Sequence, residues 1–312
     1  QVKGDLVTIG NESYYKISNV NEMRPFFMSI VSNSNHWMFI SSNGGLTAGR
    51  KNSSYALFPY YTDDKITESA DITGNKSIFK VSKDNQEFMC EPLAVRSLGS
   101  YSTTQNLYKN RYGNKIIFEE VNHDLELIYR YQWSSSNTFG FVKKSKLINT
   151  GKEAVKVSLL DGIQNIMPAS IGSDEQNQSS NLVDAYKRNE LEEKTGLGIF
   201  ALSAILVDKA EASEALKANV VWSLGLDNPK YLLSSLQLND FRLGKSINQE
   251  IDVKAEKGAY FLNSEIILEK ESSKEWMIIA NVNQNHSSIA KLSKQIQEES
   301  SLIDIINDDI NT

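Results

Sequence analysis

Carboxylate pairs are the first residues to consider, because glycosidic bonds are cleaved between two of them. The sequence holds two adjacent pairs, Asp63-Asp64 and Glu119-Glu120. Neighbours on a strand point to opposite faces, so adjacency alone does not build an acid–base couple. Glu119-Glu120 reads as a solvated surface pair. Asp63-Asp64 closes the run Leu57-Phe58-Pro59-Tyr60-Tyr61-Thr62-Asp63-Asp64, in which aromatic rings and carboxylates share one segment. That mixture suits a sugar-contacting surface, with rings against pyranose C–H faces and acids on hydroxyls. It also suits a buried corner of a β-sandwich, the commoner setting. Cys90, in Phe88-Met89-Cys90, reads as a small buried hydrophobe rather than a nucleophile. His36 and His123 lack a ligand-spaced partner and read as solvated or hydrogen-bonded side chains. The glycine-rich stretch from Asn43 to Arg50 has no strand-to-helix transition around it, which excludes a phosphate loop.

Composition narrows the function classes. The 312 residues carry 33 Lys and Arg against 39 Asp and Glu, a formal charge of −6. A duplex-binding protein needs a basic face to displace counterions, so nucleic acid is not an expected partner. One cysteine excludes an intramolecular disulfide and any multi-cysteine metal site, and three histidines leave little for a histidine cluster. Neither a metal nor a cofactor is expected. No run of 18 or more apolar residues occurs, so no membrane-spanning segment is expected. The chain opens on Gln1-Val2-Lys3, which reads as a removed signal peptide or a piece of a longer protein. One cysteine suits a bacterial cytoplasm and a periplasm equally.

The elements that must position these residues are mostly strands. Residues 6–9, 28–31, 37–41, 78–82, 115–121 and 125–133 are short runs rich in Val, Ile, Phe, Tyr and Trp, separated by turn residues such as Asn43-Gly44-Gly45 and Gly113-Asn114. Residues 139–148 and 154–160 read as a hairpin across Asn149-Thr150-Gly151-Lys152, with Val155, Val157 and Leu159 alternating against Lys156 and Ser158. Trp37, Trp133, Trp222 and Trp276 lie in strand-like contexts, where core packing is the default. Residues 170–181 form a polar tract that reads as a long loop. Residues 182–194 are ambiguous between helix and strand, and the apolar run 198–207 is strand-like. From Ser287 the spacing of Ile289, Leu292 and Ile296 predicts a helix capped by Ser287 or Ser288, and Leu302, Ile303, Ile305, Ile306 and Ile310 predict a second. That second helix is too apolar for a free tail. It suggests a chain cut before its partner surface, with the tail expected to lie against the sandwich or a second copy of the chain. Removing it after about Glu299 is expected to lessen self-association with little loss of stability.

The order of the motifs resembles the N-terminal region of the cellobiose-phosphorylase-like proteins, glycoside hydrolase family 94. The residues that carry the likeness are Ser42-Asn43-Gly44-Gly45-Leu46-Thr47-Ala48-Gly49-Arg50, then Tyr60-Tyr61-Thr62-Asp63-Asp64, then the strand reaching Asp161-Gly162-Ile163-Gln164-Asn165-Ile166-Met167-Pro168. Gly258-Ala259-Tyr260-Phe261 and Trp276-Met277-Ile278-Ile279-Ala280-Asn281 follow. The resemblance implies a mainly β chain: a two-sheet antiparallel β-supersandwich of the galactose-mutarotase-like kind over residues 1–286. A helical linker over 287–312 would lead to an (α/α)6 barrel that holds the catalytic carboxylate. It places Arg50 and Asp63-Asp64 where the family carries an Arg and an aromatic–Asp segment, so Arg50, Tyr60, Asp63 and Asp64 become the candidate substrate-binding residues, with no catalytic residue in this chain. The residues around them depart from the phosphorylase pattern.

Three functions follow. The first is a non-catalytic N-terminal domain of a carbohydrate-active enzyme, shaping the active-site entrance, with carbohydrate, the barrel of the same parent chain and a second copy in a homodimer as expected partners. The second is a free-standing aldose epimerase on the same fold, whose chemistry needs a general acid and base in one cleft. The third is a carbohydrate-binding β-sandwich, which exposed coplanar tryptophans would support.

Overall fold

The structure is a computed structural model, and it describes residues 1–178, 180–204 and 216–311. Among these, strands form three antiparallel sheets. The large sheet runs Lys3–Ile9, Glu12–Ser18, Thr103–Asn110, Ile116–Asn122, Leu127–Ser136, Gly140–Asn149, Ser273–Asn285, Lys217–Leu224, Leu197–Leu202, Lys187–Glu192 and Asp252–Lys254. A five-stranded sheet runs Lys230–Leu232, Gly258–Leu268, Val155–Ile166, Gly74–Lys83 and Gln86–Cys90. A four-stranded sheet runs Phe27–Ile30, His36–Ser41, Leu46–Arg50 and Ala56–Phe58. The helices are α1 (Asp63–Glu68), α2 (Ser173–Gln178), α3 (Ser180–Tyr186), α4 (Leu238–Arg242), α5 (His286–Glu298) and α6 (Leu302–Asn311).

Period-2 alternation explains the layers. Along Leu127–Ser136, Leu127, Tyr129, Tyr131 and Trp133 point one way into the main core, while Ile128, Arg130 and Gln132 point the other. The main core joins this face to Ile40, Leu46 and Phe58 of the four-stranded sheet and to Phe79, Val157, Leu159 and Leu262 of the five-stranded one. The large sheet therefore packs against both smaller sheets, a two-layer antiparallel β-sandwich. Behind the five-stranded sheet, Ile78, Leu160 and Phe261 meet Leu238 and Phe241 of α4. Trp133, Trp222 and Trp276 are buried as expected, while Trp37 stays half-buried.

Three expectations are corrected. Residues 140–149 and 155–166 are both strands, but they do not pair. Gly140–Asn149 lies between Leu127–Ser136 and Ser273–Asn285, whereas Val155–Ile166 lies between Gly74–Lys83 and Gly258–Leu268. The Asn149–Lys152 link crosses from one sheet to the other, and none of its residues takes a positive φ. Asn149 holds the crossing, its amide donating to the carbonyls of Glu153, Leu268 and Glu269 at 2.8, 3.1 and 3.1 Å. Alternation says which face of a strand is buried, not which strand lies beside it.

The second correction concerns the N-cap of the tail, which is Asn285 rather than Ser287 or Ser288. α5 is capped by Asn285, whose Oδ1 accepts from the backbone N of Ser288 at 2.9 Å. Leu302, Ile306 and Ile310 of α6 are buried, with Ile289, Leu292 and Ile296 of α5 partly so, against Phe139, Val142, Trp222, Met277 and Ile279 on the outer face of the large sheet. The tail finds its apolar partner within the chain, and only Ile303 remains 42% exposed. Of the two arrangements expected for the tail, packing on the sandwich is the one the structure contains.

Third, Glu119 and Glu120 are not solvated. They are 3% and 7% exposed. In the ambiguous stretches, the tract 170–181 carries α2 and the start of α3, 187–192 is a strand, and residues 179 and 205–207 lie outside the described residues.

Candidate functional site

The four residues singled out from the sequence lie on the strand Leu46–Arg50 and on the segment leading into α1. Arg50 ends its strand opposite His36, and its guanidinium donates to Asn35 Oδ1 (2.7 Å), Asn281 Oδ1 (3.2 Å) and the Asn137 carbonyl (3.3 Å). It ties the four-stranded sheet to the large one. Tyr60 is 41% exposed, with its ring edge-on to Trp37 at 5.6 Å. Its backbone N donates to Gln176 Oε1 at 2.8 Å, and the same Gln176 amide reaches the carbonyls of Ser53 and Ile171, so the polar tract pins the segment before α1. Asp63 and Asp64 are exposed in the first turn of α1, where the helix N-terminus favours negative charge. α1 lies at the Asn43–Gly45 turn, where a Cβ on Gly45 would fall 2.1 Å from the Ile66 carbonyl oxygen. Arg50 is at the far end of that hairpin. Tyr60 lies against Trp37, whose ring covers Gly49 beside Arg50, whereas Asp63 and Asp64 lie on α1. Of the run 57–64, Leu57 and Phe58 are buried and Asp63 and Asp64 exposed.

His36 lies beside Arg50 but is 8% exposed, edge-on to Phe141 at 4.9 Å. Its Nδ1 is 3.0 Å from Ser34 Oγ and 3.4 Å from Ser32 Oγ, and its Nε2 is buried without a partner. Burial, reinforced by the Arg50 charge and partly offset by Asp309, lowers its pKa from 6.5 to about 4. It is a neutral imidazole at pH 7. His123 sits in a turn, with Nε2 2.8 Å from Thr104 Oγ1. Burial, followed by Glu120 and Glu91, pushes the Cys90 thiol up to about 12, which suits the buried hydrophobe expected of it.

Two polar assemblies escaped the sequence reading. One is wholly interior. Asp161 and Lys143 are both fully buried, 2.8 Å apart. Asp161 Oδ1 also accepts from Ser77 Oγ (2.6 Å) and Tyr129 OH (2.8 Å), and Oδ2 accepts from Trp276 Nε1 (2.7 Å) and Ser145 Oγ (3.4 Å). Burial lowers the Lys143 pKa, and Asp161 opposes it. The network bolts the five-stranded sheet to the large one. Its one sequence signal is a lone Asp within the apolar run 159–163.

The other assembly is on the outer face of the large sheet, beside α6. Glu119 accepts from Asn106 Nδ2 (2.7 Å), Tyr108 OH (2.8 Å) and the Arg130 guanidinium, donors on the two strands that flank its own. Lys144 donates to Asn307 Oδ1 and Lys115 to Asn311 Oδ1, each at 2.6 Å, so two asparagines one helical turn apart hold α6 to the sheet. Asp309 between them accepts from Ser136 Oγ and from the Thr138 backbone N. Past the end of α6 opens a cleft of about 490 Å³, lined in part by Glu12, Asn33, Tyr112, Asn114, Lys115 and Asn311. It reaches Ser32, a neighbour of His36. Among the described residues, no cluster of three His, Cys, Asp or Glu could hold a metal ion, and no helix is long and apolar enough to cross a membrane.

No protein-family model matches the chain, and no curated protein matches it. Among solved structures it is similar to a polysaccharide lyase, with 12% identity over 86% of this chain and 34% of that one and a TM-score of 0.42. A bacterial glucoamylase complexed with acarbose shares 10% identity over 99% of this chain and 39% of its own, with a TM-score of 0.42. A putative aldose 1-epimerase from Escherichia coli K12 shares 9% identity over 83% of this chain and 99% of its own, with a TM-score of 0.39. The chain spans about a third to two fifths of the lyase and the glucoamylase. These are distant likenesses, and the fold described above stands on its own strand order and register.

Proposed function

We propose that the chain is the non-catalytic N-terminal β domain of a carbohydrate-active enzyme of the cellobiose-phosphorylase-like kind. In this reading residues 1–286 are the β-supersandwich of the galactose-mutarotase-like fold, and 287–312 belong to the linker to an (α/α)6 barrel that carries the catalytic acid. The domain shapes the entrance to that barrel's active site and contacts the saccharide. Arg50 serves as a tie between sheets, and Tyr60, Asp63 and Asp64 form an exposed patch on the far side of the four-stranded sheet.

The observation that carries the proposal is the disposition of the ionisable groups. General acid–base catalysis needs a proton-exchanging pair open to substrate, with pKa values near the working pH. His36 is held neutral inside the protein, His123 is tied to Thr104, Asp161 is saturated by five donors, and Glu119 is engaged by Arg130, Tyr108 and Asn106. These placements suit structure and binding better than turnover. The burial of Trp133, Trp222 and Trp276 counts against a free-standing module that stacks sugars on tryptophans.

The test is polarimetry of freshly dissolved α-D-glucose, together with phosphate-release and sugar-release assays on cellobiose. Rates equal to buffer are expected. Mutarotation above the buffer rate that disappears in His36→Asn or His123→Asn would establish the epimerase reading instead.

A further inference from the structure

We propose that the cleft between the end of α6 and the 110–115 turn is a binding site for a neutral saccharide, an inference that rests on the carbohydrate reading above and gives its contact a place. The cleft, at about 490 Å³, falls within the range of small-molecule sites. Its polar groups are set before any ligand arrives. Lys115 is 6% exposed and held by Glu12 Oε2 at 3.0 Å and Asn311 Oδ1 at 2.6 Å. In the turn, Asn110 Oδ1 accepts from the backbone N of both Asn114 and Lys115 at 3.0 Å, while Asn110 Nδ2 donates to Asn114 Oδ1 at 2.5 Å. Groups already fixed lose little freedom on binding, which lowers the cost of capture.

The chemistry of the lining selects the ligand class. The side-chain oxygens of Asn114 and Asn311 are engaged, so their amide N–H groups are the donors to offer. With Asn33 also in the lining, the cleft sets amides around a space of sugar size, as vicinal hydroxyls that both donate and accept require. Tyr112, in the 110–115 turn, lines the cleft and is 78% exposed. An aromatic ring beside a polar cleft supplies the apolar face that a pyranose C–H surface covers. The ionised groups of the lining are Glu12, Asp309 and Lys115, two negative and one positive. The ammonium is already neutralised by Glu12, so the cleft repels a sulfate or uronate and admits an uncharged sugar.

The test is titration of the full chain with cellobiose, maltose and lactose, and in parallel with a sulfated heparin disaccharide, read by calorimetry and by amide chemical shifts. At least one neutral disaccharide is expected to bind and to shift Tyr112 and Asn114, and the sulfated one is not. Tyr112→Ala is expected to weaken binding roughly tenfold by loss of the ring face. Asn114→Ala is expected to weaken it roughly fivefold by loss of a hydrogen bond. Tyr112 is too exposed for its loss to unfold the chain, so an unchanged melting curve goes with the weakened binding. Three results each overturn the cleft site: no binding of any neutral disaccharide, tighter binding of the sulfated one, or neutral binding untouched by Tyr112→Ala and mapped to Trp37 and Tyr60. None of them bears on whether the chain turns over sugars. Mutarotation in the polarimeter would overturn the domain reading and leave the cleft standing.

Discussion

The two polar assemblies of this protein lie on opposite faces of one sheet and differ in access. Between the sheets, Asp161 and Lys143 sit among Ser77, Tyr129, Ser145 and Trp276 with every carboxylate lone-pair direction occupied. On the outer face, Lys115 and Asn311 are also hydrogen-bonded, but they line an open cleft. A buried ion pair of the first kind fixes how two sheets meet and reacts with nothing. A bonded but open array of the second kind is preorganised for a ligand. Burial alone therefore does not mark a site. What distinguishes the outer assembly is residual donor capacity next to empty space.

The comparison is broken most severely by removing what covers the outer face. Truncation after Glu299 strips Leu302, Ile306 and Ile310 from Trp222, Met277 and Ile279. At roughly 1.5–3 kcal/mol per buried side chain, the loss should be about 5 kcal/mol or more, read as a large fall in the urea midpoint. An unchanged midpoint would mean that α6 is dispensable, as the sequence alone led one to expect.

Next in size is the interior pair. Asp161→Ala leaves a buried ammonium unpaired and should cost about 3–5 kcal/mol. The double variant Asp161→Ala, Lys143→Met removes the orphaned charge and should recover part of that loss. A double variant no more stable than the single one would contradict the pairing.

His36 provides the pH test. Its pKa falls from 6.5 to about 4 on folding, chiefly through burial, then through Arg50, with Asp309 opposing. The unfolded chain takes up the proton first as pH drops. The stability is thus fully present above 6.5, and about 3 kcal/mol of it is lost as pH falls toward 4. Unfolding free energies between pH 7 and pH 4 should fall less steeply in His36→Asn than in the native sequence. Equal slopes would remove His36 from the account.

The smallest effect is expected at the other candidate patch. Asp63→Asn and Asp64→Asn each lose a favourable interaction with the N-terminus of α1, about 0.5 kcal/mol at low salt. Neither should alter disaccharide binding. A clear loss of binding in either would move the contact surface to the four-stranded sheet.

Much of the fold was legible because alternation and turn residues are local signals. Val155, Val157 and Leu159 announced a strand with one wet face, and Asn43-Gly44-Gly45 announced a turn, which joins two paired strands. Pairing was not legible. The tie that sends residue 149 to one sheet and 155 to another is made by the Asn149 amide with carbonyls some 120 residues away. The burial of Glu119 was hidden for the same reason, since Asn106, Tyr108 and Arg130 reach it from two neighbouring strands. Arg50 was found, but as a tie between sheets. Asn114, Asn311 and Tyr112 gave no signal, because separate surface amides become a site only when α6 folds back onto the sheet.

Hydrogen exchange of the full chain with and without cellobiose tests most directly whether the outer face is the working surface. The expected result is slower exchange in the 110–115 turn and at the end of α6, with the strands that carry Lys143 and Asp161 unchanged. Protection confined to residues 60–68, with none at the 110–115 turn, would contradict it.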